Sequence, residues 1–122
     1  MKEAGKTEIR EERIDNEIVV DAYGEDERVT GWHTYLYDKL SFPFKVKVIK
    51  KVGTSPLKEN ETVTVLSMAD INDCYSSMRV EIQWDTRKFA VPLEQLYPVD
   101  SDEDTIEAVE DWHYWVDMNY MF

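Results

Sequence analysis

Downstream of Lys88 the sequence has no lysine or arginine, although nine carboxylates (Glu94, Asp100, Asp102, Glu103, Asp104, Glu107, Glu110, Asp111 and Asp117) fall there. Nine units of a formal net charge of −12 therefore sit in the last third of the chain. That surplus excludes nucleic acid and anionic membrane surfaces as natural partners, because their phosphates would be repelled. Cysteine is nearly absent too: Cys74 stands alone, so an internal disulfide is impossible. No apolar run has the length of a membrane span or the form of a signal peptide, and a cytoplasmic protein is expected. Walker loop, dinucleotide fingerprint and nucleophile elbow are all missing, and no enzyme is expected. His33 and His113 each follow a tryptophan and are expected at the core or its rim; with one cysteine they make no zinc set.

What is present suits one domain over residues 1–122, large enough for a hydrophobic core. Residues 1–10 are polar and aperiodic and are expected to form a flexible arm. Two helices are expected over residues 11–40. In the first, Ile14, Ile18 and Ala22 recur at helical spacing until Gly24. The second runs from about Asp26 to Leu40, with Val29, Trp32, His33, Leu36, Tyr37 and Leu40 on one side. Gly31 inside it permits a close approach or marks a break. From Phe44 the period falls to two: FKVKVIKK, ETVTVLSM, MRVEIQW and RKFAV read as strands, the last two joined by a tight turn at Asp85-Thr86. AVPLEQLYPV looks like the segment that closes small SH3-like barrels. The fold class is thus α+β: a small SH3-like antiparallel β-barrel or meander over residues 43–99, two N-terminal helices, and an acidic C-terminal helix within 100–122. The lysines at 39, 45, 47, 50, 51 and 58 lie in a stretch without acids, suited to an outer strand face.

Crowded carboxylates repel, and a hard divalent cation offsets that repulsion most strongly. Asp100, Asp102 and Asp104 alternate as in the first half of an EF-hand loop, with Asp111 at the twelfth position. Thr105 stands where that loop needs glycine, and Asp111 is shorter than the usual glutamate, so a true EF-hand is excluded. Helix capping by Asp102 or Asp104, with Glu107 completing a capping box, accounts for the same residues and comes first on sequence alone. Asp21, Glu25, Asp26 and Glu27 surround Gly24 at a helix junction, where capping again suffices. Asp38 near a helix C-terminus opposes the macrodipole, a fault that a cation would turn into a site. The four tryptophans are expected as core anchors.

Three segments, EIVVDAYGEDERVTGWHTYLYDKLSFPFKVK, SPLKENETVTVLSMA and IQWDTRKFAVPLEQLYPVDSDEDTIEAVEDWHYWV, carry GW-x-x-YL, FPF, VPL-x-QL and DWHYWV in combination. On these the chain, from Glu17 to Val116, resembles the small cyanobacterial-type calcium-binding proteins of the CcbP family. The resemblance implies an acidic, soluble, non-EF-hand protein that binds Ca2+ and serves calcium buffering or calcium signalling in the cytosol. It reverses the preference for capping at some of the acids. Asp21, Glu25, Asp26, Asp38, Asp102, Glu103 and Asp104 are the metal-ligand candidates to which it extends. The partners expected are calcium ions, and the chain is expected to be a monomer. An alternative is an acidic interaction module docking a basic protein partner, with metal incidental.

Overall fold

The computed structural model describes residues 2–52, 55–120 and 122, with side chains from residue 8 onward. The chain begins not with an arm but with a helix, α1 (Lys2–Arg13), and only residue 1 of the expected arm lies outside the described residues. Local polarity is a poor guide here because the order comes from distant partners: Arg10 and Arg13, in its last turn, reach a buried carboxylate about a hundred residues away. The helix does not run on to Gly24. It widens into a π-helical turn over Ile14–Ile18, closed by Val19 N–H donating to the Ile14 carbonyl at 2.9 Å, and Ala22 falls in the following turn. Ile14 and Ile18 are buried as their spacing predicts.

Helix α2 (Glu25–Lys39) starts after extended Gly24 and stops at extended Leu40, within one residue of expectation at each end. Val29, Trp32, Tyr35 and Leu36 are its buried side chains. Tyr37, expected inside, is 63% exposed; Tyr35 replaces it because its hydroxyl finds a carboxylate partner in the interior. Gly31 marks no break. A Cβ there would lie 2.1 Å from the Ile18 carbonyl oxygen, so glycine is what lets the end of the π-helical turn rest on α2.

Five strands follow: β1 (Phe44–Val48), β2 (Thr62–Met68), β3 (Arg79–Trp84), β4 (Arg87–Pro92) and β5 (Leu96–Val99). They form an antiparallel sheet in the order β4-β3-β2-β1-β5. Alternation fixes the register, since Phe44, Val46 and Val48 are buried while Lys45 and Lys47 face solvent. Asp85, at φ 56°, makes the two-residue β3–β4 turn with Thr86. The sheet does not close into the expected barrel. Strands β4 and β5 are its two edges, separated by a single 3-10 turn at Leu93–Gln95, and α3 (Glu103–Asp117) packs across that turn and β5. Helices α2 and α3 meet at Trp32, whose ring is edge-on to Trp112 (5.0 Å) and Trp115 (5.5 Å) on α3 and to Tyr35 (6.1 Å) on its own helix. Trp84 differs from the other three: half-buried, it packs on Phe89 and donates to Glu61 at 3.2 Å. Among the described residues no helix is long and apolar enough to cross a membrane.

Candidate metal centre

The acids of α3 are not equivalent. Asp111 is fully buried: Oδ1 accepts from Arg10 Nε (2.8 Å) and Arg13 Nη2 (2.7 Å), and Oδ2 from Arg13 Nε (2.9 Å) and the Tyr35 hydroxyl (2.8 Å). With Asp111 beside it, the Arg13 guanidinium is held above its ordinary range. Burial first, and then the bond to Asp111, push the Tyr35 phenol up. Glu107 lies 3.8 Å from Arg13, and Glu110 accepts from the Tyr97 hydroxyl at 2.6 Å. The crowding in this half of the helix is thus relieved by guanidinium and phenol groups, and Asp111 has no lone pair left for an ion.

At the mouth of α3, Asp102 is the cap. Its Oδ1 accepts from Thr105 N–H at 3.0 Å and its Oδ2 from the Ser41 hydroxyl at 2.9 Å, so neither Asp104 nor a capping box with Glu107 is used. Hydrogen bonds from Thr105 and Ser41 hold the Asp102 carboxyl below the ordinary aspartate value of 3.8. A depressed folded pKa means that the carboxylate stabilises the fold above the unfolded value and that this contribution is lost as pH falls through the folded one. In an acid titration followed by circular dichroism below pH 3.8, the Asp102→Asn variant should show a shallower loss of stability than the parent. Equal slopes would remove this role. Asp102 also lines, with Asp100 and Lys45, a cavity of about 540 Å3; Glu103 and Asp104 are exposed on the first turn.

Asp21, Asp26 and Asp38 come together along one groove of about 660 Å3 beside α2. Glu17, from the π-helical turn, and Glu27, from the first turn of α2, line it too. Asp21 holds φ at 57°, a conformation Asp tolerates better than most residues. One ion cannot join both ends of the groove: Asp26 and Asp38 are 12 residues apart on α2, roughly 18 Å at 1.5 Å per residue. Glu25 is not in the groove but lines a different cavity on the side of Tyr75.

Among the described residues no three His, Cys, Asp or Glu side chains are already gathered as a metal cage. The donor chemistry nevertheless fits one class of ion. The groove offers carboxylate oxygens and hydroxyls, as hard cations require. Softer donors are engaged elsewhere: His33 Nε2 meets the Ala69 carbonyl (2.9 Å), His113 Nε2 the Leu96 carbonyl (2.8 Å), and burial pushes the Cys74 thiol up.

The model of the CcbP family, described as calcium binding, matches residues 12–116. The chain is similar to the crystal structure of Anabaena CcbP, at 41% identity over 94% of each chain and a TM-score of 0.84. It is equally similar, by the same three measures, to a calcium-binding protein solved in the calcium-binding form. No curated protein matches.

Proposed function

The chain belongs to the CcbP family of calcium-binding proteins, and from that premise we propose that it is a cytosolic calcium buffer whose ions sit among exposed carboxylates beside α2. This is a calcium-binding family, not a family of enzymes. The observation that carries the proposal is the α2 groove, which gathers Glu17, Asp21, Asp26, Glu27 and Asp38. Its one lysine, Lys39, leans over the Tyr35 ring, 6.0 Å from the centroid. The two ends of the groove offer different attractions. Asp21 and Asp26 supply charge count, beside turn backbone. Asp38 lies where the last carbonyls of α2 lack helical partners and the macrodipole favours a cation. Asp102, Glu103 and Asp104 form a weaker candidate, because a helix N-terminus disfavours cations and both Asp102 oxygens are already bonded.

Exposed ligands stay hydrated, which suits moderate affinity, and calcium needs several water or carbonyl oxygens to complete its shell of about six to eight. The tie of α1 to α3 through Asp111 opposes the opening that a sensor needs, which favours buffering. Titration calorimetry with calcium and then magnesium tests the reading. The parent should release or absorb heat with calcium. Asp21→Asn with Asp26→Asn should remove one component, and Asp38→Asn should act independently. No calcium heat above dilution would end the proposal. A calcium-induced rise in binding of a hydrophobic dye would replace buffer by sensor.

A further inference from the structure

A cavity of about 670 Å3 lies between the start of α2, the loop at Tyr75–Ser77 and the end of α3, and it differs in kind from the groove. Its walls include Tyr75, Trp112, Trp115, Tyr120 and Phe122, and its charged side chains are two carboxylates, Glu25 and Glu94. Tyr75 and Tyr120 are each 37% exposed, at its mouth. Glu94 is half-buried and rigidly held: Oε1 accepts from Ser77 Oγ (2.7 Å) and Trp112 Nε1 (3.0 Å), and Oε2 lies 2.9 Å from Ser77 Oγ. Those donors are all neutral. Among the described residues no lysine or arginine nitrogen comes within 4 Å of Glu94 or Glu25, so neither charge is cancelled, and that of Glu94 is also fixed in place.

Calcium suits this cavity less well than the groove, because the cavity offers two carboxylates where the groove offers five, and Glu94 already accepts from Ser77 and Trp112. A flat organic cation suits it well. A guanidinium stacks on tyrosine, here the exposed Tyr75 and Tyr120 rings, donates paired N–H groups to a carboxylate, and carries an alkyl stem that can lie along Val116. We infer that this cavity receives an arginine side chain from a basic segment of a protein partner. The net charge of −12 draws such a segment in; the cavity fixes its register. Lysine, a compact and strongly hydrated charge, is the poorer occupant.

The test titrates a short blocked peptide, one central arginine flanked by lysines and glycines, into the full chain and follows tryptophan fluorescence and heat. The same peptide with citrulline, neutral and nearly isosteric, is the comparison. The arginine peptide should bind about tenfold more tightly, with calcium or with chelator present. Its persistence in chelator separates this inference from the calcium proposal, so either can fail alone. Glu94→Gln should abolish most of the preference. Should that variant unfold, Glu25→Gln, which changes an exposed side chain, should still reduce affinity several-fold. Asp85→Asn removes the same charge at the β3–β4 turn and should change affinity less than twofold. Equal binding of the citrulline peptide, or equal weakening by Asp85→Asn and Glu25→Gln, would reveal diffuse attraction and overturn the inference. So would arginine amide binding as tightly as the peptide, since the cavity would then serve a small molecule.

Discussion

Replacing Asp111 by alanine should destabilise the protein by about 3–5 kcal/mol, the range for removing one partner of a buried ion pair. The cost arises from what is left behind. Arg13, its side chain 14% exposed, loses both of its short bonds, Arg10 loses one, and the Tyr35 hydroxyl is stranded inside. Arg10, at 26% exposure, can turn toward water, which favours the lower half of that range. A domain of this size is stable by only about 5–15 kcal/mol, so the loss should be plain in a urea titration. Asp111→Asn keeps the shape and should cost less. Removing both sides together, Asp111→Leu with Arg13→Met, should recover part of the loss, because burying the pair was itself costly. A midpoint for Asp111→Ala indistinguishable from the parent would mean that α1 does not depend on α3. The junction also has an alkaline limit. The Tyr35 phenol is raised, so its contribution is complete below the ordinary value of 10.0 and drains as pH climbs through the folded value.

The second large effect is expected at Gly31. Alanine would ordinarily improve a helix interior by about 1 kcal/mol. Here its Cβ would meet the Ile18 carbonyl oxygen at 2.1 Å and the Ile18 carbonyl carbon at 3.3 Å, and backbone cannot swing aside as a side chain does. The π-helical turn must lift off α2, at a net cost of about 1–3 kcal/mol or more. Since that turn leads directly to Asp21, the variant should also weaken calcium heat at the near end of the groove while leaving the Asp38 component. Gly24→Ala is the control, because its Cβ would meet only Glu27 Oε1, at 3.9 Å. Comparable losses from the two alanines would show that the close approach is not what Gly31 serves.

Periodicity made α2, α3 and strands β1 to β4 legible in the sequence, because each buries one face and its pattern repeats over several turns or pleats, whereas β5 was read only from the likeness of AVPLEQLYPV to a barrel-closing segment. It missed α1, whose stability comes from Arg10 and Arg13 pairing with Asp111 across nearly the whole chain, a contact no window can contain. The closed barrel was an analogy drawn from AVPLEQLYPV; that segment does make strand, one turn and strand, yet edges β4 and β5 stay apart. Among the acids, composition showed the surplus but not its division. Asp102 caps, Asp111 clasps arginines, Glu25 faces aromatics, and Asp21, Asp26 and Asp38 line a groove: four fates for one residue class, decided by geometry that spacing alone leaves open.

The widened turn at Ile14–Ile18 holds one residue more than an ordinary helical turn would spend on the same rise. Deleting a single residue there would let the N-terminal helix continue regularly, but each residue carries about 100° of rotation. Everything downstream would be rephased, and Ile18 could no longer face Gly31 while Arg10 and Arg13 kept hold of Asp111. Length variation among natural or engineered versions of this chain should therefore accumulate on either side of that turn and avoid it.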